Sequence, residues 1–583
     1  MQNKSLPVHR ILPFTILIFS ILLQSCSSED SRKDIADLVI LNGTYYTADS
    51  TTNDGSVDAI AINGNLITQI GSKQDIQGLI GEQTRIVDAK GKFIMPGFIE
   101  GHGHFLGLGG SLIELNFLNV YNWDTICKMV GERAKTLPPG TWIVGRGWHQ
   151  EKLDSLPPDA IDGYPSHKKL SQLTPDHPVM LTHASGHGMI AKQNAMNLAN
   201  INKETPDPNG GRIVRDEYGN PTGIFEERAK GLISELYRSY IDQQTDDEKS
   251  AYTKKCVLAA ERECLKKGVT TFQDAGTNVK NLQWLKDYAS NEGLKVRLWA
   301  MVRERHDQLK DKIYNQGFPW IGLSDNFLTV RAIKSEIDGA LGAYGAWLIR
   351  PYNDKPGFEG QNTTPLTEVK GIAEMAEKLE MQFCVHAIGD KGNRITLDLF
   401  ESIFDGDLPS KARWRVEHAQ HLHPDDIPRF SELGVIAAMQ AVHCTSDAPF
   451  VVKRLGEKRA REGAYAWRSL LDAGTVVTNG TDAPVEDVDP LRSFYASVTR
   501  KRPGENKPFM PHQKITREEA LYSYTMSNAY AGFEEHIKGS LSPGKLADIV
   551  ILDTDLLTCN DDDILDTKVD FTIVGGKISY KRE

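Results

Sequence analysis

Short apolar runs rich in valine and isoleucine recur between amphipathic stretches along most of this chain. Runs of this length are typical of buried strands, and their alternation with helical stretches is typical of a parallel sheet. Eight such strands suggest a sheet that closes on itself, so the sequence predicts an α/β fold built on a (β/α)8 TIM-like barrel. The eight runs are residues 94–99, 269–273, 296–302, 329–333, 382–385, 414–416, 435–439 and 476–478.

The two ends of the chain have a different pattern. Residues 37–92 and 540–583 contain short apolar runs separated by turn residues, as β-hairpins do. We expect these ends to combine into one small β-sandwich domain beside the barrel, which would span residues 93–539. Residues 105–252 form a long insertion after the first barrel strand, where barrel loops build the active-site face. The insertion is therefore expected to cover the pocket.

Residues 1–26 have the pattern of an export signal peptide, because basic residues precede an apolar run that is short for a membrane span. Leu23-Gln24-Ser25-Cys26 resembles a bacterial lipobox, so Cys26 is expected to carry the lipid anchor, with residues 27–36 as a polar tether. This predicts an exported protein anchored to a bacterial outer membrane, on its periplasmic or its surface face. Simple secretion and a retained membrane anchor are the alternatives.

Charge and cysteine usage exclude several classes of partner. The formal net charge is −11, and no basic run with interleaved aromatic residues is present, so nucleic acid is not an expected partner. Apart from Cys26, the cysteines lack the close spacing of a disulfide scaffold or a thiolate zinc site. A small-molecule substrate is therefore expected, while the sequence leaves a homo-oligomer open.

The stretch Gly101-His102-Gly103-His104 directly follows the first predicted barrel strand. Side chains alternate faces along a strand, so the imidazoles of His102 and His104 would point the same way. Both could then bind one divalent ion through neutral ring nitrogens. Two unrelated histidines in a polar turn are the alternative for such a short motif.

Four more ligand-type residues fall at or just after predicted strand ends. Barrel enzymes carry their reactive side chains there, at the carboxyl end of the barrel. Each residue has an ordinary alternative, since a lone histidine is more often structural and a lone lysine is usually at the surface. Their common position favours a shared metal site over coincidence. The four residues are Lys334, His386, His418 and Asp482.

The segments around these residues resemble the metal-dependent amidohydrolase superfamily. Within it, the chain is most similar to the branch that includes N-substituted formamide deformylases. Members of that branch also carry a glycine-histidine element, here Ser185-Gly186-His187-Gly188, and a segment like residues 210–214. The resemblance covers nearly the whole mature chain. It depends on residues 96–104, on Lys334 followed by 338–342, and on residues 386–390, 417–420, 481–484 and 540–550.

The resemblance implies a site for two divalent ions, with zinc as the expected metal. A carbamylated lysine would bridge both ions, because a carbamate is an anionic oxygen ligand whereas an ammonium group repels cations. Metal-bound hydroxide would attack the amide carbonyl, and a catalytic aspartate would pass the proton to the leaving amine. The implied ligands are His102 and His104 for the first ion, completed by the catalytic Asp482, His386 and His418 for the second, and carbamylated Lys334 between them.

Three positions in the insertion are further candidates. His187 is expected to enter the pocket as a catalytic residue and contact the substrate carbonyl or leaving group, with a structural histidine in a glycine turn as the alternative. Trp148 and His149 are candidates for the pocket lining, although a tryptophan is more often part of a core. Glu100-Gly101 replaces the superfamily's more usual Asp-Ala, which removes no ligand but changes the residues that surround the ligands.

The sequence as a whole predicts a metal-dependent hydrolase of a carbon–nitrogen bond other than a peptide bond. The expected substrate is a linear small-molecule amide, either an N-substituted formamide or an N-acyl amine. One alternative is a cyclic amidohydrolase of the hydantoin or imidazolone type, which would need a pocket shaped for a flat ring. The other is a catalytically silent, metal-containing binding lipoprotein. Asp482 argues against the silent binder, because a binding protein needs no proton shuttle.

Overall fold

A computed structural model describes residues 35–583 except 53–54, 305 and 405–411. The predicted signal peptide, Cys26 and most of the predicted tether lie outside these residues. Within the part of the chain that is described, no helix combines the length and the apolar character needed to cross a membrane.

Eight parallel strands form the central sheet, in the order in which they occur along the chain. The first and last strands are linked where His104 N donates to Ala483 O at 2.6 Å and Asp482 N donates to His102 O at 2.7 Å. The sheet therefore nearly closes, and the predicted TIM-like barrel is confirmed. The barrel strands are Phe98–Gly103, Val269–Thr277, Arg297–Val302, Leu328–Glu336, Gln382–Ala387, Arg415–His418, Ile436–Met439 and Val477–Asn479, with Trp320–Gly322 paired antiparallel outside them.

The first predicted strand, residues 94–99, is divided in the structure at Gly97. The part before Gly97 pairs with Ile549–Leu552 in a second sheet, and the part after it enters the barrel. A Cβ on Gly97 would lie 2.2 Å from the side chain of Thr270, so only glycine lets the chain pass this closely. The sequence did not reveal the break because both sheets bury the apolar run.

Two smaller sheets combine both ends of the chain. Isoleucines from both sheets, among them Ile40, Ile60, Ile94 and Ile551, pack into one buried core. The predicted β-sandwich is therefore part of the fold. One sheet has the strand order Leu66–Gly71, Ala59–Asn63, Leu38–Leu41 and Arg85–Asp88, and the other has Thr44–Tyr45, Phe93–Pro96, Ile549–Leu552, Val569–Val574 and Lys577–Lys581.

The long insertion contains a six-stranded sheet that the sequence did not predict. Ile224 and Phe225 are adjacent on one strand and belong to two different buried cores, so apolar side chains cover both faces of this sheet. The insertion is therefore a packed layer and gives firm support to the side chains that it contributes to the pocket. Its strand order is Gly211–Arg215, Pro221–Glu227, Gly188–Ala191, Val179–His183, Ile143–Trp148 and Leu115–Asn116.

Helices connect the strands and surround the barrel. Asp246–Lys266, which leads into the second barrel strand, begins at a capping box formed by Thr245 and Glu248 and is followed by Gly268 at a φ of 79°. The other α-helices are Lys73–Gln77, Phe105–Ile113, Trp123–Ala134, Lys168–Leu173, Gln193–Leu198, Gly231–Asp242, Val279–Asn291, His306–Tyr314, Leu323–Asn326, Leu366–Lys378, Asp390–Ile403, Ile427–Glu432, Ala441–Leu455, Glu457–Gly463, Trp467–Asp472, Pro490–Thr499, Arg517–Ser523 and Met526–Ala531. Short 3-10 helices span Gln150–Lys152, Arg228–Lys230, Pro424–Asp426, Pro511–Gln513 and Asp561–Asp566.

His421 is buried, and neither of its ring nitrogens has a hydrogen-bond partner among the described residues. Burial lowers its pKa from 6.5 to about 3. The unfolded chain therefore takes up this proton first, so the contribution of the neutral ring to stability is fully present above pH 6.5 and is lost as the pH falls toward 3. At pH 5 the loss is about 2 kcal/mol. Between pH 8 and pH 5, the free energy of unfolding of His421→Phe should therefore fall by about 2 kcal/mol less than that of the wild type.

Urea unfolding of both proteins at the two pH values measures this difference. His512→Phe is the control, because His512 is exposed and its replacement shows whether loss of any histidine changes the result. An unchanged pH dependence in His421→Phe would mean that His421 is protonated equally in the folded and unfolded states.

Candidate active site

The residues singled out in the sequence lie together at the carboxyl end of the barrel. A cavity of about 300 Å³ lies there between barrel and insertion residues. Its lining includes His104, Lys334, His386, His418 and Asp482. His102, which is 1% exposed, is buried beside them. Side chains from separate strand ends therefore form one site.

The distances between these side chains are those of a compact polar cluster. His102, His418 and Asp482 can each place one ligand atom within 4.8 Å of the others. His104 Nε2 lies 3.3 Å from Asp482 Oδ1, and the ring centroids of His386 and His418 are 4.4 Å apart. The residues assigned to the two ions thus lie next to each other.

Several atoms of this cluster are buried without a partner. Among the described residues, Nε2 of His102 and Nε2 of His386 make no hydrogen bond, and Oδ1 of Asp482 faces imidazole nitrogens of His104 and His102 at 3.3 and 3.6 Å. A buried polar atom left without a partner costs about 1–3 kcal/mol, so such atoms are uncommon. A divalent ion would satisfy them, since imidazole nitrogens and carboxylate oxygens are typical ligands of zinc. The residues present therefore fit a metal.

The opposite ring nitrogens of two candidate ligands are held by acceptors. His102 Nδ1 contacts Glu417 Oε2, and His418 Nδ1 lies 2.6 Å from Gln440 Oε1. Because each ring carries its proton on Nδ1, its Nε2 is left free to bind an ion. Sequence reasoning gave Glu417 no role and missed Gln440. Gln440 directly follows the barrel strand Ile436–Met439, so a search of every strand end would have found it.

Burial controls the charge of the site. It lowers the pKa of His102, and it lowers the pKa values of His386 and His418 well below the ordinary value, so these rings are neutral and able to bind metal. Burial alone would raise the pKa of Asp482, but its contact with the His104 imidazole holds it well below its usual range. Asp482 is therefore an anion at neutral pH.

Lys334 lies on the strand Leu328–Glu336 and is 5% exposed. Its Nζ has one long hydrogen bond among the described residues, to Ala275 O at 3.4 Å, and burial lowers the pKa of its amine. Lysine is seldom buried without a partner. A purely structural role therefore does not explain why lysine stands here.

Two of the candidate ligands lie on strained backbone. His418 has a φ of 78° and Asp482 a φ of 56°, in the left-handed region that residues other than glycine seldom adopt. Such a conformation costs about 1–3 kcal/mol and is concentrated at functional sites. His418 is the last residue of its barrel strand, and Asp482 lies three residues after the end of the strand Val477–Asn479. At both positions the strained backbone sets the direction of the ligand side chain.

His187 reaches the cavity from the insertion, with its ring centroid 5.0 Å from that of His386. Its Nδ1 lies 2.8 Å from Glu227 Oε2, and although burial opposes it, this carboxylate raises the pKa of His187. A Cβ on Gly339 or Gly345 would lie 2.0 or 2.1 Å from Glu227 Oε1. Gly339, in the 338–342 segment, thus makes room for the carboxylate that orients His187. Sequence reasoning predicted His187 but missed Glu227.

The structure separates the two other candidates of the insertion. Trp148 is buried in a core of the insertion, where its Nε1 donates to Leu181 O at 2.9 Å. His149 lines the cavity. Trp148 is therefore a core residue, which was the alternative to a place in the pocket lining.

Glu100 and Gly101 join the first barrel strand to the last. Glu100 Oε1 accepts a hydrogen bond from Thr481 N at 2.6 Å, and burial raises the pKa of Glu100 to about 8. A Cβ on Gly101 would lie 2.4 Å from Asn479 O, so an alanine does not fit here. Glu100 and Gly101, which stand in place of the usual Asp-Ala, therefore form the contact between the strand ends that carry His102 and Asp482.

A barrel that gathers imidazoles, a carboxylate and a buried lysine at its carboxyl end has the arrangement of a metal-dependent hydrolase. A family model described as the amidohydrolase family matches residues 85–580, and the chain belongs to that family. It is therefore a hydrolytic enzyme that acts on carbon–nitrogen bonds other than peptide bonds, and the predicted superfamily is confirmed.

Known proteins resemble the chain over nearly its whole length. Protein LONG AFTER FAR-RED 3 of Arabidopsis thaliana is 32% identical over 560 residues, which are 94% of this chain and 92% of that protein. N-substituted formamide deformylase of Arthrobacter pascens is 25% identical over 561 residues, 94% of this chain and 98% of that protein. The crystal structure of a metal-dependent hydrolase from Pyrococcus horikoshii has a TM-score of 0.70 at 27% identity, covering 90% of this chain and 99% of that one.

Proposed function

We propose that this protein hydrolyses a linear N-substituted formamide or N-acyl amine to an acid and an amine, using two divalent ions, with zinc as the expected metal. The observation that carries the proposal is the cluster of buried ligand atoms without partners at the carboxyl end of the barrel. The similarity to N-substituted formamide deformylase supports the substrate class, because it extends over 94% of this chain.

Each ion would have its own ligands. When bound, the ions would lower the pKa of a water molecule and polarise the substrate carbonyl. His102 and His104 would hold the first ion together with Asp482, and His386 and His418 would hold the second. The hydrogen bonds from His102 to Glu417 and from His418 to Gln440 fix both rings in the orientation that binding needs.

Lys334 is proposed to carry a carbamate between the two ions. A neutral lysine amine adds carbon dioxide and releases one proton, which turns a repulsive cation into an anionic oxygen ligand. The support for this assignment is the burial of Lys334 beside the histidines without an ion pair among the described residues.

Asp482 and His187 are proposed as the catalytic residues. The Asp482 carboxylate would take a proton from the attacking water and pass it to the leaving amine. His187 Nδ1 is held by Glu227, so Nε2 is the nitrogen available to the substrate, either to its carbonyl oxygen or to its leaving group.

We propose further that a lipid on Cys26 anchors the mature protein to a bacterial outer membrane. The support is the signal-like pattern of residues 1–26 followed by a polar tether. Mass spectrometry should find a lipid on Cys26 of the wild type and no lipid on the Cys26→Ser variant. Wild-type protein that carries no lipid would contradict the lipid anchor.

The proposed function is tested on protein that begins after Cys26 and is purified without chelators. We expect about two ions per chain by elemental mass spectrometry and release of amine from N-formyl or N-acyl amines. Racemic hydantoins serve as the comparison. Hydrolysis of hydantoins alone would favour the cyclic class, and folded protein that holds no metal and releases no amine would contradict the proposal.

A further inference from the structure

Arg146 lines the active-site cavity, yet it has no carboxylate partner among the described residues. It lies on the insertion strand Ile143–Trp148. Within the described part of the chain its one hydrogen bond runs from Nη2 to Ala184 O at 2.9 Å, and its Nε is buried without a partner. A guanidinium group has five N–H donors, so most of the donors of Arg146 are unused.

Arg146 is partly buried and faces the cavity, whereas fully buried arginines such as Arg297, Arg454 and Arg500 have their charge compensated by the protein. Arg297 pairs with Asp548 at 2.7 Å, and Arg454 pairs with Glu151 at 2.8 Å. Arg500 donates from Nε and Nη1 to backbone carbonyls at 2.7 and 2.9 Å. A cation that is withdrawn from water without such partners is costly unless an anion binds to it. Arg146 therefore has donors that are free to bind an anion in the cavity.

Lys230 places a second cation in the same part of the cavity. Burial lowers the pKa of Lys230, the carboxylates of Glu227 and Glu336 oppose this effect, and the positive charges of Arg303 and Arg146 add to it. Of the carboxylates that act on these two cations, Glu336 pairs with Arg303 and Glu227 pairs with an imidazole. Asp482 acts on Arg146 but forms no ion pair with it among the described residues. Arg146 and Lys230 thus line this wall of the cavity without an ion pair among the described residues.

We propose that Arg146 and Lys230 form a subsite for a negatively charged group of the substrate, so that the amide hydrolysed by this enzyme carries a carboxylate. The subsite belongs to the insertion and the metal-type residues belong to the barrel, and both line one cavity of about 300 Å³. A substrate with its amide at the metal-type residues and its carboxylate at the insertion would contact both. This inference rests on the proposed function, because it names the class of amide that the same site takes.

The two cations also hold the loop that carries His187, since Arg146 donates to Ala184 O and Lys230 to Gly186 O. If loop support were their whole role, their loss would impair every substrate equally. A carboxylate subsite instead predicts a loss confined to anionic substrates. The two roles are therefore separable by comparing substrates that differ in charge alone.

The test compares 5-formamidopentanoate with the isosteric and neutral 5-formamidopentanamide on the metal-loaded enzyme. We expect the wild type to prefer the carboxylate, and Arg146→Gln to lower kcat/KM for it by about 10- to 100-fold, mainly through KM. For the carboxamide, kcat/KM should change less than about 3-fold, which is a smaller effect than the loss of one hydrogen bond to a charged group. Arg146→Lys should restore part of the preference. Arg228→Gln, which removes an exposed cation at the cavity, is the matched control. This variant should keep the preference for the carboxylate over the carboxamide.

An equal fall for both substrates, or a wild type that prefers the carboxamide, would overturn the subsite. If Arg146→Gln does not fold, Lys230→Gln is judged by the same criteria. Binding of pentanoate and of pentanamide by calorimetry separates this inference from the proposed function. If the wild type hydrolyses neither substrate, the proposed function is decided by its metal content and by the other N-formyl and N-acyl amines, and the subsite stands only if Arg146→Gln weakens pentanoate binding and leaves pentanamide binding unchanged.

Discussion

Asp482→Asn is expected to lower the turnover of a hydrolysed amide by about 10²- to 10⁴-fold while the protein keeps its metal. Asparagine has nearly the same size and retains an oxygen that can face the ion, but it cannot take up a proton. His102 and His104 remain as ligands, so the metal content should stay close to that of the wild type. Steady-state release of amine and elemental mass spectrometry on the same preparation measure both quantities.

The matched control for this variant is Asp487→Asn. Asp487 follows the same barrel strand, but it lies 3.6 Å from Lys267 Nζ and does not line the cavity. We expect the control to have the activity of the wild type. Unchanged turnover in Asp482→Asn would remove Asp482 from the proton transfer, and a loss of metal together with activity would make it a ligand alone.

Lys334→Ala is expected to lower the metal content from about two ions per chain to one or fewer, and the rate of hydrolysis by about 10³-fold. The physical reason is that the bridging oxygens are lost, and a metal ion is worth several kcal/mol of transition-state stabilisation. The alanine leaves a space beside the histidines that a small anion can enter. Added acetate or formate should therefore restore part of the metal content and part of the activity.

Lys334→Arg distinguishes a carbamate from a simple cation at this position. Arginine retains the positive charge and cannot carry a carbamate under these conditions. It should be as inactive as Lys334→Ala, and acetate should not rescue it, because the space stays filled. Full activity in Lys334→Arg would show that a cation is sufficient and would contradict the carbamate.

The barrel and the set of candidate ligands could be predicted from the sequence because both have local signatures. Apolar runs such as residues 435–439 mark buried strands by composition alone. The position of a residue at the end of such a run, as for His386 after 382–385, then places it at the carboxyl end of the barrel without any knowledge of its neighbours. The domain boundaries, the lipid anchor and the role of each ligand stay predictions.

The tertiary structure decided which groups surround these ligands. His102 and Glu417 are 315 positions apart in the chain, and Arg146 and Ala184 are 38 apart. Nothing in the residues next to His102 indicates its acceptor, and nothing next to Arg146 indicates that no carboxylate reaches it. Local sequence sets strand and helix periods, whereas the partner of a buried polar atom depends on which distant segments pack together. The orientation of the ligands and the unpaired charge of the cavity therefore appear only in the folded chain.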